Sequence, residues 1–217
     1  MRIEFQPGNY RDVVCDLLAY PVFEDEGKDF SSLQPLDTIT RGAVKSALSS
    51  REFKPELHQT CRICKPAGLK ARNLLLVGAG KKLKFDPAKF RELAGTAVRN
   101  AKSYASKNVA LCCRGVSSTS LAARLASEGA LYASYELDMY KTRDNESKNV
   151  ETLQLLFDRN ATRGEVEEGI QRGIITGDAT NYARTLTNEP SNILTPAQFA
   201  ERAVTMGEKA GLAVQIL

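Results

Sequence analysis

Short apolar runs of strand length alternate with longer segments of helical periodicity through the first 160 residues. The runs lie at residues 12–20, 57–64, 73–77, 108–113 and 151–157. Strands that alternate with helices favour an α/β fold, with a largely parallel sheet covered by helices on both faces. Between the last two runs, the polar stretch 140–149 predicts a mobile loop.

Three helices are predicted between these runs. The first covers residues 39–49, with Asp37 or Thr38 as its N-cap. The second begins at Asp86-Pro87, a cap followed by a proline at the first helical position, and the third covers residues 117–135. The apolar face of the second helix is predicted to comprise Phe90, Leu93, Ala94, Ala97, Val98 and Ala101.

A long helical segment over residues 162–187 changes its apolar face midway. Val166 and Ile170 lie on one side, while the side of Ile175 and Tyr182 is rotated by roughly 150° at 100° per residue. A helix docked on a single core keeps one apolar stripe. The change of face therefore predicts an interdomain linker, with its two halves packed on different domains.

Three glycines recur at every fourth position of this segment, at Gly169, Gly173 and Gly177. Each costs about 1 kcal/mol relative to alanine inside a helix, so their regular spacing predicts close backbone packing along that row. The alternative is that the glycines break the segment into shorter helices. Glu165, Glu167 and Glu168 lie at the helix start, where negative charge complements the helix dipole, and we interpret them as structural.

Composition narrows the class of protein. With 42% hydrophobic residues in 217, the chain can bury a core, and no apolar run approaches the ~20 residues of a membrane helix. The first ten residues lack the apolar stretch of a secretion signal, so we expect a cytoplasmic protein without a membrane partner. A net charge of +4 among 30 basic and 26 acidic residues argues against a nucleic-acid partner. The five cysteines, which lie in apolar runs, predict free buried thiols.

Two short motifs suggest chemistry, and for each a structural role is favoured. Residues 78–82, Gly-Ala-Gly-Lys-Lys, follow a strand as an anion-binding loop does, but they lack the third glycine of a dinucleotide fingerprint and the Ser or Thr of a P-loop. A tight turn is the favoured interpretation. Cys61, Cys64 and the single histidine, His58, resemble a metal or redox site. On a strand, however, the two cysteines point to opposite faces and cannot share an ion.

Residues 188–196, NEPSNILTP, carry the most specific signal. They resemble the segment that opens the catalytic domain of leucyl aminopeptidases. The positions that match the family's consensus are Ala183, Arg184, Leu186, Asn188, Pro190, Asn192, Thr195 and Pro196. Three further stretches are also similar to the amino-terminal part of that family: LLLVGAGKK, FRELAGTAVRNAK and SEGALYASYELDMYKT.

The resemblance implies a three-layer, macro-domain-like α/β fold with a mixed, mostly parallel sheet flanked by helices. We expect the amino-terminal domain over residues 1–160, the linker helix over 161–189 and a truncated start of the catalytic domain over 190–217. In the last part, Thr195-Pro196 begins a helix, Gly211 ends it and an apolar strand follows over 212–217. About thirty residues cannot bury a core, so this part should be poorly ordered or lean on a neighbour.

For the complete enzyme, the resemblance implies two divalent metals, zinc or manganese, peptide substrates and a homo-hexamer. The family's metal-binding runs, Asp-Ser-Gly-Gly and Asn-Thr-Asp-Ala-Glu-Gly-Arg, do not occur in this sequence. No catalytic, cofactor-binding or metal-binding residue is therefore assigned, and the chain alone is expected to be inactive. The alternative function, suggested by the macro-like fold and the Gly-Ala-Gly-Lys-Lys loop, is a stand-alone module that binds a nucleotide or an ADP-ribose-like ligand.

Overall fold

A computed structural model places residues 1–50, 52–136, 149–157 and 160–216. Within these residues six strands form one sheet: β1 (Arg2–Phe5), β2 (Leu17–Phe23), β3 (Thr60–Cys64), β4 (Asn73–Gly80), β5 (Asn108–Cys112) and β6 (Thr152–Leu156). Their order across the sheet is β1-β6-β5-β2-β4-β3, and every neighbouring pair is parallel except β3 with β4. The predicted α/β class with a mixed, mostly parallel sheet is confirmed.

Helices cover both faces of this sheet. They are α1 (Gln34–Ile39), α2 (Ala43–Ser49), α3 (Pro87–Ser103), α4 (Thr119–Ser134), α5 (Arg163–Asn188) and α6 (Pro196–Lys209). Side chains of α3, α4 and the first half of α5 share one core with one face of the sheet, and those of α1 and α2 share a second core with the other face. All seven residues of β2 are buried, since a central parallel strand is covered on both sides.

The capping signals placed the long helices correctly. The Asp86 side chain accepts a hydrogen bond from the Lys89 amide at 2.9 Å, and the Ser118 hydroxyl accepts one from the Leu121 amide at 3.3 Å. All six residues predicted for the apolar face of α3 are fully buried. These elements follow from local signals because a cap and the residues it satisfies lie within one turn.

The predicted helix over residues 39–49 is wrong, because the chain forms two helices with a break at 40–42. Arg41 and Gly42 adopt positive φ angles of 54° and 86°, which an α-helix cannot contain. Gly42 has no side chain to cap α2. The Asp37 carboxylate does so instead, accepting a hydrogen bond from the Lys45 amide at 2.8 Å.

Strand predictions differ from the structure at both ends of the chain. The run at 12–20 forms a strand only from Leu17, the strand predicted over 57–64 starts at Thr60, and β1 has no counterpart among the predicted strands. The predicted strand over 212–217 is wrong for its described residues, 212–216. After Gly211 the chain turns back, the Leu212 amide donates to the Gly207 carbonyl at 2.8 Å, and Val214 packs on Gly207 instead of pairing with a strand. The loop predicted at 140–149 lies, except for its last residue, outside the described residues.

Candidate functional site

The sequence predicted that α5 links two domains. In the structure α5 is one continuous helix. A capping box opens it, with the Glu165 amide donating to the Thr162 hydroxyl at 3.4 Å and the Thr162 amide donating to Glu165 Oε2 at 3.3 Å. Glu167 pairs with Arg163 and Glu168 with Arg172, each one turn apart. The structural interpretation of the three glutamates is confirmed, and the alternative of shorter broken helices is wrong.

The three glycines of α5 lie against α4. A Cβ at Gly169 would lie 2.2 Å from the Ser120 carbonyl oxygen, one at Gly173 would lie 2.5 Å from that of Arg124, and one at Gly177 would lie 2.5 Å from Leu131 Cδ1. Real Cβ atoms essentially never come within 3.0 Å of such atoms. The predicted close packing is confirmed, and hydrogen in place of a side chain is what lets the two helices approach.

The change of face along α5 is also present in the structure. Val166 and Ile170 are buried in the core shared with the sheet, whereas Ile175 is 69% exposed and Tyr182 is 37% exposed. The described residues do not bury Ile175 or Tyr182 on this second side. The helix therefore has one packed face and one open face, and its role as an interdomain linker stays a prediction.

Two of the stretches that carry the family resemblance meet at the end of α4. Arg184 Nη1 donates to the Tyr132 carbonyl at 3.1 Å and to Asn181 Oδ1 at 3.2 Å, and the guanidinium lies 4.2 Å from the centre of the Tyr135 ring. An arginine at a helix C-terminus satisfies a free carbonyl and complements the dipole. Arg184 and Tyr135 therefore connect α5 to the end of α4.

The NEPSNILTP segment builds a turn and a cap. The Pro190 carbonyl accepts hydrogen bonds from the amides of Ile193 and Leu194, and the Thr195 hydroxyl caps α6. Glu189, which the sequence did not single out, has a side chain only 3% exposed, and its Oε1 accepts from Arg202 Nη1 at 2.6 Å. Its Oε2 is buried without a hydrogen bond among the described residues. In the structure the motif therefore forms the connection between α5 and α6.

The Glu128-Gly129 pair of the SEGALYASYELDMYKT stretch is structural as well. The Glu128 side chain is 2% exposed and forms ion pairs with Arg124 at 2.8 Å and Arg91 at 3.4 Å. A Cβ at Gly129 would lie 2.0 Å from the Arg91 carbonyl oxygen. Gly129 therefore sets the closest approach of α3 to α4, and Glu128 neutralises charge beside that crossing.

The Gly-Ala-Gly-Lys-Lys segment does not form an anion cradle. Strand β4 continues through Gly80 instead of turning at Gly78, so the predicted end of the strand is corrected. The Gly78 amide donates to the Gln59 carbonyl at 2.7 Å, and the Gly80 amide donates to the Pro55 carbonyl at 2.9 Å. A Cβ at Gly78 would lie 2.0 Å from the Glu56 carbonyl oxygen. Both amides therefore donate to backbone carbonyls and are not available to bind a phosphate.

Cys61 and Cys64 lie on opposite faces of β3, as predicted from the strand. Cys61 packs towards the α1–α2 core, while Cys64 is exposed, so the expectation that all thiols are buried is wrong for Cys64. His58 contacts Glu92 at 3.0 Å through Nε2 and Thr96 at 3.2 Å through Nδ1, which fastens the loop before β3 to α3. The described residues contain no group of three or more side chains able to hold a metal ion.

A cleft of about 510 Å³ opens at the carboxyl edge of the parallel strands, where α/β proteins commonly bind ligands. Arg114 is the one cation among its described lining residues, and it is already neutralised by Glu26 at 2.6 Å. The same guanidinium donates to the Pro21 carbonyl and stacks on Tyr20, whose pKa is raised mainly by burial. Among its described lining residues the cleft offers a diphosphate no unpaired charge, so they do not favour the nucleotide-binding alternative.

Comparison of the sequence with models of known protein families finds a match. The model described as "Cytosol aminopeptidase family, N-terminal domain" matches residues 20–144, which is more than half of the chain. The chain belongs to this family. The resemblance first seen in the residue motifs is confirmed.

Curated relatives of the family extend beyond the matched region. A probable cytosol aminopeptidase of Acidobacterium capsulatum is 37% identical over 183 residues, which are 83% of this chain and 36% of the relative. One from Solibacter usitatus is 35% identical over 217 residues, which are 100% of this chain and 42% of the relative. The chain thus spans about two fifths of the length of these cytosol aminopeptidases.

Solved structures share the fold. A tomato leucine aminopeptidase mutant superposes with a TM-score of 0.82 at 24% identity, covering 96% of this chain and 42% of its own. The bottromycin maturation enzyme BotP superposes with a TM-score of 0.69 at 25% identity, covering 92% of this chain and 38% of its own. Within the described residues, no helix combines the length and apolarity needed to cross a membrane.

Proposed function

We propose that this chain serves as the non-catalytic amino-terminal domain of a leucyl aminopeptidase. The complete form would be a metal-dependent exopeptidase that removes amino-terminal residues from peptides. The observation that carries the proposal is the match of residues 20–144 to the amino-terminal domain of the cytosol aminopeptidase family. The names of the relatives, and the two fifths of their length that the chain spans, support it.

We propose the domain organisation 1–160, 161–189 and 190–217, with α5 as the connection. The packing of α5 supports this proposal, because Gly169 and Gly173 fasten its first half to α4 while Ile175 and Tyr182 face outward. Residues 190–216 expose further large apolar side chains. These are Ile193, Phe199, Met206, Leu212, Val214 and Ile216. Several exposed large apolar side chains in one segment suggest a surface that another domain covers, and we propose that a catalytic domain covers it.

The chain by itself is proposed to lack peptidase activity. The family's two metal-binding runs are absent from its 217 residues, and water activation in this chemistry depends on bound metal. The two divalent metals, the peptide substrates and a homo-hexameric assembly are assigned to the complete enzyme. A cytoplasmic location is supported by the relatives' description as cytosol aminopeptidases.

The test is hydrolysis of leucyl-p-nitroanilide by the purified chain, with manganese or zinc added and with a complete leucine aminopeptidase as positive control. We expect no release of p-nitroaniline above the blank. Metal-dependent release that a chelator abolishes, and that co-purifies with the chain through a second column, would overturn the assignment as a non-catalytic domain.

A further inference from the structure

A second concave surface lies where α3, α4 and the second half of α5 meet, and no function has been assigned to it. It encloses about 410 Å³, and its lining includes Arg91, Arg99 and Arg184 against one carboxylate, Glu92. Glu92 is the one carboxylate among the described lining residues, and it is engaged, since its Oε2 lies 3.0 Å from His58 Nε2. The pocket therefore carries an excess of positive charge.

Two of the three arginines have no carboxylate partner among the described residues. Arg99 Nη2 donates to the Thr96 hydroxyl at 3.2 Å, and Arg184 makes its hydrogen bonds through Nη1 to the neutral oxygens of Tyr132 and Asn181. An arginine has five N–H donors, so most of the donors on these two remain available. Guanidinium groups that converge without a counter-charge repel one another unless an anion lies between them.

The third arginine is only partly neutralised. Arg91 shares the buried Glu128 with Arg124, and the distances of 3.4 Å and 2.8 Å show that the carboxylate lies closer to Arg124. The single negative charge of Glu128 is thus shared between Arg91 and Arg124. Arg91 can accept a further anionic partner on its exposed side, since its side chain is 38% exposed.

Glycines keep the pocket open beneath these side chains. Gly95 and Gly129 face each other where α3 crosses α4, and a Cβ on Gly95 would lie 3.2 Å from the Gly129 carbonyl oxygen and 3.7 Å from Arg99 Nη1. With no side chain at either position, the floor is backbone and the guanidinium of Arg99 lies directly beside it. The cavity therefore has a shallow base and cationic walls.

We propose that this pocket binds the phosphate group of a small molecule. A phosphate has three or more acceptor oxygens and accepts paired hydrogen bonds from guanidinium forks, so it can bind Arg91, Arg99 and Arg184 at the same time. Arg91 and Arg99 belong to α3, whereas Arg184 lies beyond the last glycine contact of α5. The second half of α5 already contacts α4 through Arg184 and Asn181. A bound phosphate therefore adds a link from this half to α3, and a small ligand stabilises the direction in which the helix leaves the domain.

The binding test is isothermal titration of the full chain with inorganic phosphate and with pyrophosphate, at an ionic strength held constant with sodium chloride. We expect saturable binding and a rise in melting temperature with ligand concentration. The variant Arg99→Gln/Arg184→Gln should bind at least about tenfold more weakly, because it loses two charge-assisted contacts. Absence of saturable binding, or equal binding by the double variant, would overturn the proposal.

Arg172→Gln is the matched control, since Arg172 lies on the same helix outside the pocket and pairs with Glu168 on the surface. Its binding should equal that of the parent chain. All the substituted arginines are solvent-accessible, so unliganded melting temperatures verify that each variant is folded. Glycerol phosphate separates the sources of the group: binding of both it and free phosphate supports a metabolite ester, and binding of free phosphate alone supports the ion. Equal binding of succinate would reject phosphate as the group recognised.

Discussion

Replacing Gly173 by alanine adds one methyl group to the close contact between α4 and α5. An ideal Cβ at this position lies 2.5 Å from the carbonyl oxygen of Arg124 and 2.6 Å from the Cβ of Ser127, whereas ordinary van der Waals contacts begin at 3.4 Å. The added Cβ would thus be about 0.9 Å too close to the Arg124 carbonyl oxygen. This oxygen belongs to the backbone, which cannot rotate aside as the end of a flexible side chain can. The two helices therefore have to separate, and the side chains on either side of the contact lose dispersion energy.

Overpacking of a well-filled interior costs about 1–3 kcal/mol, and the higher helix propensity of alanine offsets at most about 1 kcal/mol. We expect Gly173→Ala to lower the free energy of unfolding by about 1–2 kcal/mol, measured by urea denaturation followed by circular dichroism. Gly164→Ala is the matched control, because Gly164 lies in the same helix and an ideal Cβ there meets nothing within 4 Å. The control should gain up to about 1 kcal/mol. If the two variants were equally stable, the close approach of α4 and α5 would not limit packing.

Three further outcomes are expected. Glu128→Gln should cost about 1–2 kcal/mol in urea unfolding, because the negative charge is lost and one of the two acceptor oxygens becomes an NH2 group that cannot accept from an arginine. The exposed Glu167→Gln should cost less than about 0.5 kcal/mol, and equal costs would contradict this. A chain ending at Asn188 should melt within about 2 °C of the full chain, because the residues beyond it pack mainly on one another; a larger fall in calorimetry would show that they support the domain. At about pH 8, alkylation followed by mass spectrometry should label Cys64 before Cys15, because Cys64 is exposed and burial raises the pKa of Cys15 to about 12, which leaves that thiol protonated; labelling at equal rates in the folded chain would contradict the burial argument.

Local signals in the sequence predicted the long helices well. Asp86, Ser118, Thr162 and Thr195 cap the helices that follow them, and each cap involves residues within one turn. The apolar stripe of α3 was predicted for a related reason, since a helix of fixed period brings its buried side chains to one face. Such features depend on short stretches of chain, so reasoning from the sequence reaches them.

Elements that depend on distant partners were predicted less well. Strand β1 has only four residues and pairs with β6, whose first residue lies 150 positions further along the chain, from Arg2 to Thr152. The break between α1 and α2 depends on a positive φ at Arg41, a residue type that rarely adopts it, and on the reach of Asp37 across the break. Neither feature has a strong local signature. The prediction from periodicity therefore extended one helix across the break at 40–42 and did not include β1.

The glycines show which features can be predicted from the sequence and which follow only from the packed structure. A regular row of glycines in α5 carries a predictable energetic cost, which implies that a neighbour approaches closely. The identity of that neighbour, the backbone of α4 at Ser120 and Arg124, follows only from the packed structure. At Gly78 the same residue type was interpreted as a turn, yet it lies inside β4 against the carbonyl of Glu56.

The amino-acid sequence by itself determined the α/β class, the helix caps, the two-sided character of α5 and membership of the aminopeptidase family, because these depend on residue types and spacings within a few turns of chain. Tertiary structure alone decided the strand order, the burial of Glu189 and the convergence of Arg91, Arg99 and Arg184 in one pocket. Those arginines are separated by up to 93 positions, and only the crossing of α3, α4 and α5 brings their charges together. Because the interaction of charges depends on their distance in space, the positions of these arginines along the chain do not predict the cationic pocket.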